Sequence, residues 1–238
     1  MSQAPHILGL IPARGGSKGI PGKNLAPLAG RPLLAHTVAA ALASRRLSRV
    51  VLSTDDEEIA RVGRELGAET PFLRPAGLAG DQTPALPVIQ QAVAFLERQG
   101  WRPEVVVYLQ PTSPLRRAGH IDAAVDILLD QGADSVVSVV RVPHQFNPVS
   151  VLKLEDGCLR PFLGDGQGPL RRQDKPEVWA RNGPAVLACT RDQVMERDAL
   201  YGPRTLPLFM DPADSHDVDT PFDLELVEWL LSRRKPAP

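Results

Sequence analysis

Four glycines, at 15, 16, 19 and 22, share the stretch 11–24 with Arg14, Lys18 and Lys23, and Asn24 closes it. Glycine lets backbone N–H groups turn inward at φ values that other residues avoid, and inward N–H groups receive anions. Three flexible cations among them suit a polyphosphate better than a single carboxylate. The order is neither a Walker A sequence nor Gly-x-Gly-x-x-Gly, so a different kind of nucleotide site is expected. A solvated Gly/Lys loop is the alternative. The segment Ser215-His216-Asp217-Val218-Asp219 spaces two carboxylates at i, i+2. On extended chain they face one side, where a hard divalent cation can bridge them and a triphosphate. Either Asp219 or Thr220 could instead cap a helix beginning at Pro221. Cations and a metal stabilise charge on an α-phosphate and a departing pyrophosphate, which is what nucleotidyl transfer requires.

Two polar runs, 53–56 (Ser-Thr-Asp-Asp) and 110–116 (Gln-Pro-Thr-Ser-Pro-Leu-Arg), follow apolar segments. Taken singly each reads as turn and capping chemistry. Farther on stand Arg171-Arg172-Gln173 and Trp179-Ala180-Arg181-Asn182-Gly183. Arginine's planar fork matches a carboxylate and would suit an acidic sugar; solvated surface is the competing reading. The five histidines have no metal-ligand spacing, and no Ser/His/Asp or Cys/His arrangement supports covalent catalysis.

The elements that must position these residues alternate between strand and helix. Strands are expected over 7–11, 49–53, 104–109, 135–140 and 186–190, with a weaker one over 70–73. Helices are expected after Pro32, with Leu34, Val38, Ala41 and Leu42 on one face, from Asp55–Asp56 to Leu66, over 87–99, near 119–131 and over 221–234. The last has an apolar stripe of Phe222, Leu226, Trp229 and Leu230. Such alternation predicts an α/β fold with a mostly parallel central sheet flanked by helices, whose ligands sit at the carboxyl ends of the strands. Residues 141–181 break the pattern. A hairpin of 149–154 with 158–163 about Glu155-Asp156-Gly157 suits an arm reaching toward a second subunit, or else a long surface loop.

At 238 residues and 43% hydrophobic, the chain fits a single domain, 1–238, with that arm as an excursion. A net charge of −1 gives no bulk attraction to nucleic acid or membrane, so anion binding must come from local clusters. Cys158 and Cys189 read as reduced thiols of a cytoplasmic protein.

Together these residues resemble the acylneuraminate cytidylyltransferases, the CMP-sialic acid synthetases. The resemblance rests on four blocks: the 11–24 loop, Leu73-Arg74-Pro75-Ala76 through Asp81, residues 109–116, and His216-Asp217-Val218-Asp219. A fifth, 171–183, matches in part. It implies a Rossmann-like nucleotide-diphospho-sugar transferase fold, CTP as co-substrate, Mg²⁺ as cofactor, an acidic nine-carbon sugar as acceptor and a homodimer. It also implies roles by position. Arg14, Lys23, Asp217 and Asp219 would form the catalytic set, the two aspartates holding the metal. Arg14, Gly15, Lys18, Lys23, Asn24, Arg74 and Asp81 would bind the nucleotide. Gln110, Arg172, Gln173 and Asn182 would meet the sugar, the arm residues from the same or the other subunit. The acceptor would be an N-acylneuraminate or a legionaminate-type relative. Pseudaminate, 3-deoxy-octulosonate, a sugar phosphate, and a non-catalytic nucleotide-sugar binding module are the alternatives. The chain departs from the family at Pro184-Ala185-Val186, where Ala-Ile-Tyr is usual, and at Ala85, where serine can stand.

Overall fold

A computed structural model describes residues 4–17, 19–164 and 171–234. Its strands in chain order are β1 (Ile7–Pro12), β2 (Pro27–Leu28), β3 (Arg31–Pro32), β4 (Arg49–Ser53), β5 (Val105–Tyr108), β6 (Ser135–Arg141), β7 (Leu152–Glu155), β8 (Cys158–Pro161), β9 (Trp179–Arg181), β10 (Leu187–Thr190) and β11 (Thr205–Phe209). Its α-helices are α1 (Leu33–Leu42), α2 (Glu57–Glu65), α3 (Ala85–Arg98), α4 (Ala118–Gln131), α5 (Arg191–Met195) and α6 (Pro221–Arg233).

The main sheet has the order β11-β6-β10-β5-β1-β4, with β9 also on β6. Strands β4, β1, β5, β6 and β11 run one way, while β10 and β9 run against them. The expected mostly parallel sheet is therefore present as a mixed one. Side chains alternate across it with the period of two that a strand imposes. Ile7, Ile11, Val50, Leu52, Val105 and Val107 face α1 and α4 on one side. Leu8, Leu10, Val51, Val106 and Tyr108 face α3 on the other. Both faces are covered, which is why these strands read as unbroken apolar runs.

Helix α2 begins where Asp56 accepts the N–H groups of Glu58 and Ile59, and the chain leaves it through Gly67 at φ 95°. Three expectations are corrected. Residues 70–73 form no strand: Glu69 makes a single bridge to Val51, and Pro71 has no N–H to extend it. Leu42 is exposed at the end of α1 rather than on its inner face. On α6 the inner stripe is Leu224, Val227, Leu230 and Leu231, packed with Leu28, Leu33 and Val218. Phe222 and Trp229, expected inside, are exposed. The arm hairpin forms as β7–β8, with Asp156 and Gly157 at positive φ in its turn.

Candidate active site

The loop after β1 is tied down at several of its described residues. Ala13 N–H donates to the Ser53 carbonyl and Gly15 N–H to Asp55 Oδ1 at 3.0 Å. A Cβ on Gly15 would come within 2.7 Å of Asp56 Oδ2, so a side chain there would push on the carboxylate that caps α2. Buried Asn24 closes the loop by donating from Nδ2 to the Arg14 carbonyl at 2.9 Å. At the far side, a Cβ on Gly19 would sit 2.4 Å from the Asp219 carbonyl oxygen. The loop is thus wedged between the ends of β1 and β4 and the acidic segment.

It forms one wall of a cleft of about 260 Å³ at the carboxyl ends of β1 and β5. Arg14, Lys23 and Asn24 line that wall, with Arg74, Tyr108, Gln110 and Thr112 opposite and Gly80, Asp81 and Thr83 along the rim. Arg14 forms an ion pair with Asp81 across the opening. Arg74 is buried; its Nε donates to Ser53 Oγ at 3.0 Å and its Nη2 to the Ser53 carbonyl. Burial lowers its pKa, opposed by Tyr108 and Asp55. Burial pushes the Tyr108 hydroxyl up to about 12, so that ring offers an apolar face and a neutral O–H.

The two aspartates meet the cleft through its lining residues. Val218, between them, is fully buried in the α6 cluster and its N–H donates to the Thr112 carbonyl. That pins the extended segment and turns both carboxylates away from the core. Asp217 Oδ1 accepts from Ser113 Oγ at 3.2 Å. Asp219 Oδ1 accepts from Lys23 Nζ at 3.0 Å. Thr220 takes the N-cap of α6 in a reciprocal capping box with Asp223, leaving both aspartates free of that task. Burial raises the Asp217 pKa, the Thr112 hydroxyl opposes that, and the neighbouring Asp219 charge adds to it.

This donor set fits Mg²⁺. Among the described residues no cluster of three His, Cys, Asp or Glu could hold a metal. A pair of carboxylates in like-charge repulsion is what Mg²⁺ takes when phosphates and waters complete its shell.

The structure brings Arg14, Gly15, Lys23, Asn24, Arg74, Asp81, Gln110, Asp217 and Asp219 to one region. Asn24 and Gly15 serve the loop's shape as well as its surface. Lys18 lies outside the described residues. Asn182 is not on the cleft: buried, it accepts from Ser138 Oγ at 2.6 Å and donates to Ser215 Oγ at 2.9 Å. Arg172 and Gln173 are exposed on the arm, where Arg172 lines a separate cleft with Arg141, His144 and Lys175. The sequence marks Ser53, Ser113 and Gly183 only as members of longer polar runs, with no role of their own, and Tyr108 only as part of a buried strand. Gly183, at φ 117°, would place a Cβ 3.1 Å from Ser113 Oγ, and its carbonyl accepts from Gln110 Nε2 at 3.3 Å. Placement after a strand marks the runs, but which of their residues meet Asp217 or Arg74 depends on contacts remote in sequence.

A cytidylyltransferase family model matches residues 8–156. A CMP-N,N'-diacetyllegionaminic acid synthase of Legionella pneumophila is 35% identical over 98% of this chain and 99% of its own length. An N-acylneuraminate cytidylyltransferase of Escherichia coli is 32% identical over 96% of this chain, and N-acylneuraminate cytidylyltransferase A of Danio rerio 36% over the same share. The chain spans about half the length of those two relatives, 52% and 51%. In fold it is similar to a CMP:2-keto-3-deoxy-manno-octonic acid synthetase, with a TM-score of 0.70, 17% identity and 96% and 99% of the two chains covered.

Proposed function

Because this chain belongs to the cytidylyltransferase family, we propose that it joins the CMP moiety of CTP to a nonulosonic acid of the N-acylneuraminate or legionaminate type. The observation that carries this reading is the facing of two charge sets. Arg14, Lys23 and Arg74 line one cleft with Gln110, and Lys23 joins it to the Asp217–Asp219 pair. A polyphosphate belongs among the cations, and a sugar hydroxyl belongs on the Gln110 side.

In the proposed step the acceptor's anomeric hydroxyl oxygen attacks the α-phosphorus. The new P–O bond forms as the bond to the β-phosphate oxygen breaks, and pyrophosphate carries away the electron pair. The hydroxyl proton passes to the aspartate pair. Arg14 and Lys23 hold the triphosphate and neutralise charge on the departing group. Arg74, fixed by Ser53, flanks the base beside the Tyr108 ring. Gln110, bonded to the Gly183 carbonyl, meets the acidic sugar. Asp217 and Asp219 would hold Mg²⁺, which supplies Lewis-acid stabilisation of phosphoryl charge.

The working unit in this reading is a homodimer built on the arm, which would carry Arg172 and Gln173 toward the sugar. Leu154 and Leu159, a cross-strand pair on β7–β8, are 71% and 68% exposed. Free thiols at Cys158 and Cys189 support a cytoplasmic setting. Among the described residues no helix is long and apolar enough to cross a membrane.

The test is pyrophosphate release with each of the four NTPs and Mg²⁺, against N-acetylneuraminate, legionaminate, pseudaminate and 3-deoxy-octulosonate. Turnover with CTP and one of the first two acids is the expected result. Turnover with another acid or NTP moves the chain to a different transferase. CTP binding with no pyrophosphate from any acid makes it a binding module.

A further inference from the structure

One charged side chain beside this site has no assigned task. Arg116 is 2% exposed, and no carboxylate forms an ion pair with it among the described residues. Its Nη1 donates to the Gln110 carbonyl at 3.1 Å and to the Ala185 carbonyl at 2.7 Å. Its Nε and Nη2 are buried without a partner. An arginine confined in this way costs folding free energy, so its retention calls for a use beyond packing.

The geometry supplies one. The chain from Gln110 to Arg116 turns back on itself, with Ser113 N–H donating to the Gln110 carbonyl and Arg116 N–H to the Ser113 carbonyl. Arg116 closes this loop from inside and ties it to the start of β10. The outer face of the same loop carries both halves of the site. Gln110 lines the cleft, Thr112 O receives Val218 N–H, and Ser113 Oγ reaches Asp217. The next residue completes the bracket: Arg117 Nη2 donates at 2.9 Å to Oδ1 of buried Asp214, at the start of the acidic segment.

We infer that Arg116 is a positioning residue, the internal strut that sets Gln110 and the Asp217 segment at a fixed separation. It touches neither nucleotide nor sugar and acts through the loop's carbonyls. The same loop reaches Asp217 through Ser113 Oγ at 3.2 Å, so a loop that loses its strut also moves that carboxylate. Both bonds leave one nitrogen, Nη1, which the rigid planar guanidinium holds at a fixed reach from its stem; a lysine amine keeps the charge on a shorter, flexible stem and does not hold that reach.

This inference rests on the cytidylyltransferase reading, and two variants test it. Arg116→Lys keeps the charge and Arg116→Met keeps much of the volume. Two quantities are read on each: Mn²⁺ bound in the presence of CTP, by electron paramagnetic resonance, and KM for the acid that the wild type uses. For Arg116→Lys we expect Mn²⁺ affinity within about threefold of wild type and KM for the acid raised roughly tenfold or more. For Arg116→Met we expect both weakened by about 10- to 100-fold. Wild-type Mn²⁺ affinity and KM in a folded Arg116→Lys and Arg116→Met, with only a lowered melting temperature, overturn the strut. If Arg116→Met does not fold, an unchanged KM in Arg116→Lys overturns it alone. A wild-type protein that binds no Mn²⁺ with CTP fails the parent reading instead, before either variant is compared.

Discussion

Lys23 Nζ donates to the Val218 carbonyl at 2.9 Å and to Asp219 Oδ1 at 3.0 Å, so one amine joins the glycine loop to a segment some 195 residues away. The two ends of the contact differ: the lysine side chain is 14% exposed and the aspartate 73%. The amine is anchored from the protein side while its partner carboxylate remains open to solvent. An incoming phosphate can share the amine without disturbing its hold on Val218 O. Lys23→Met is expected to lower kcat about 100- to 1,000-fold, the loss typical of removing one preorganised charge from a reacting group. Steady-state pyrophosphate release measures it, with circular dichroism to check the fold. A loss below about threefold would remove Lys23 from the catalytic set.

Gly19 makes a different prediction, because its constraint is space. A Cβ there would meet the Asp219 carbonyl oxygen, backbone that cannot swing away. Gly19→Ala is expected to push the loop off the acidic segment, lowering kcat at least about tenfold. The melting temperature should fall by only a few degrees, because both partners are near the surface. Wild-type kcat in this variant would mean the loop and the aspartates work independently.

How much of this could be read from residues alone follows their physics. β4 falls on its expected residues because a short buried strand announces itself by composition. The reversal of β10 is invisible to such reasoning, since periodicity fixes which side a residue faces and not the direction of its neighbour. Helix α6 carries two apolar stripes, and which one turns inward depends on Val218 and Leu28, remote in sequence. The glycine loop was legible because anion binding needs those residue types close together. Ser113 and Gly183 were not, because each is ordinary turn chemistry until the fold puts Asp217 beside it.

His120 gives a pH prediction. Its Nδ1 accepts from Arg117 N–H at 3.2 Å, which places the ring proton on Nε2, facing Asp214 at 3.6 Å. Burial lowers its pKa from the ordinary 6.5; Asp214 opposes the shift, and Arg117, Arg234 and Arg116 add to it. A histidine whose folded pKa lies below its unfolded value binds fewer protons folded than unfolded. Its contribution is therefore present above about pH 6.5 and is lost as pH falls toward the folded value. Urea unfolding between pH 7.5 and 5 should show stability falling more steeply in the wild type than in His120→Gln. Equal slopes would exclude His120 as the source.

The arm predicts an assembly. A two-stranded hairpin is marginal in water by itself, and β7 and β8 are exposed along nearly their whole length. Leu154 and Leu159 face outward as a pair, an apolar surface that a second copy of the chain would cover. Light scattering coupled to gel filtration should give a dimer for the wild type and a monomer for the Leu154→Glu/Leu159→Glu double variant. A monomeric wild type at micromolar concentration would end the dimer proposal.

The aspartates allow the metal proposal to be tested by contrast. Asp219 is exposed, so Asp219→Asn should cost no more than about 0.5 kcal/mol of stability. Asp217 is partly buried and holds the Ser113 hydroxyl, so Asp217→Asn keeps the volume while removing the charge. Each variant is expected to lose roughly a hundredfold or more in kcat, with no recovery at high Mg²⁺ for Asp217→Asn. The raised pKa of Asp217 adds a second handle. A carboxyl with greater affinity for protons makes Mg²⁺ compete with them, so the wild type should need more Mg²⁺ for half-maximal rate as pH falls. Pyrophosphate release over a Mg²⁺ series, repeated as the pH is lowered stepwise toward the ordinary carboxylate range, measures both effects. Near wild-type, Mg²⁺-dependent turnover in Asp217→Asn would place the metal elsewhere, whatever the pH series gave.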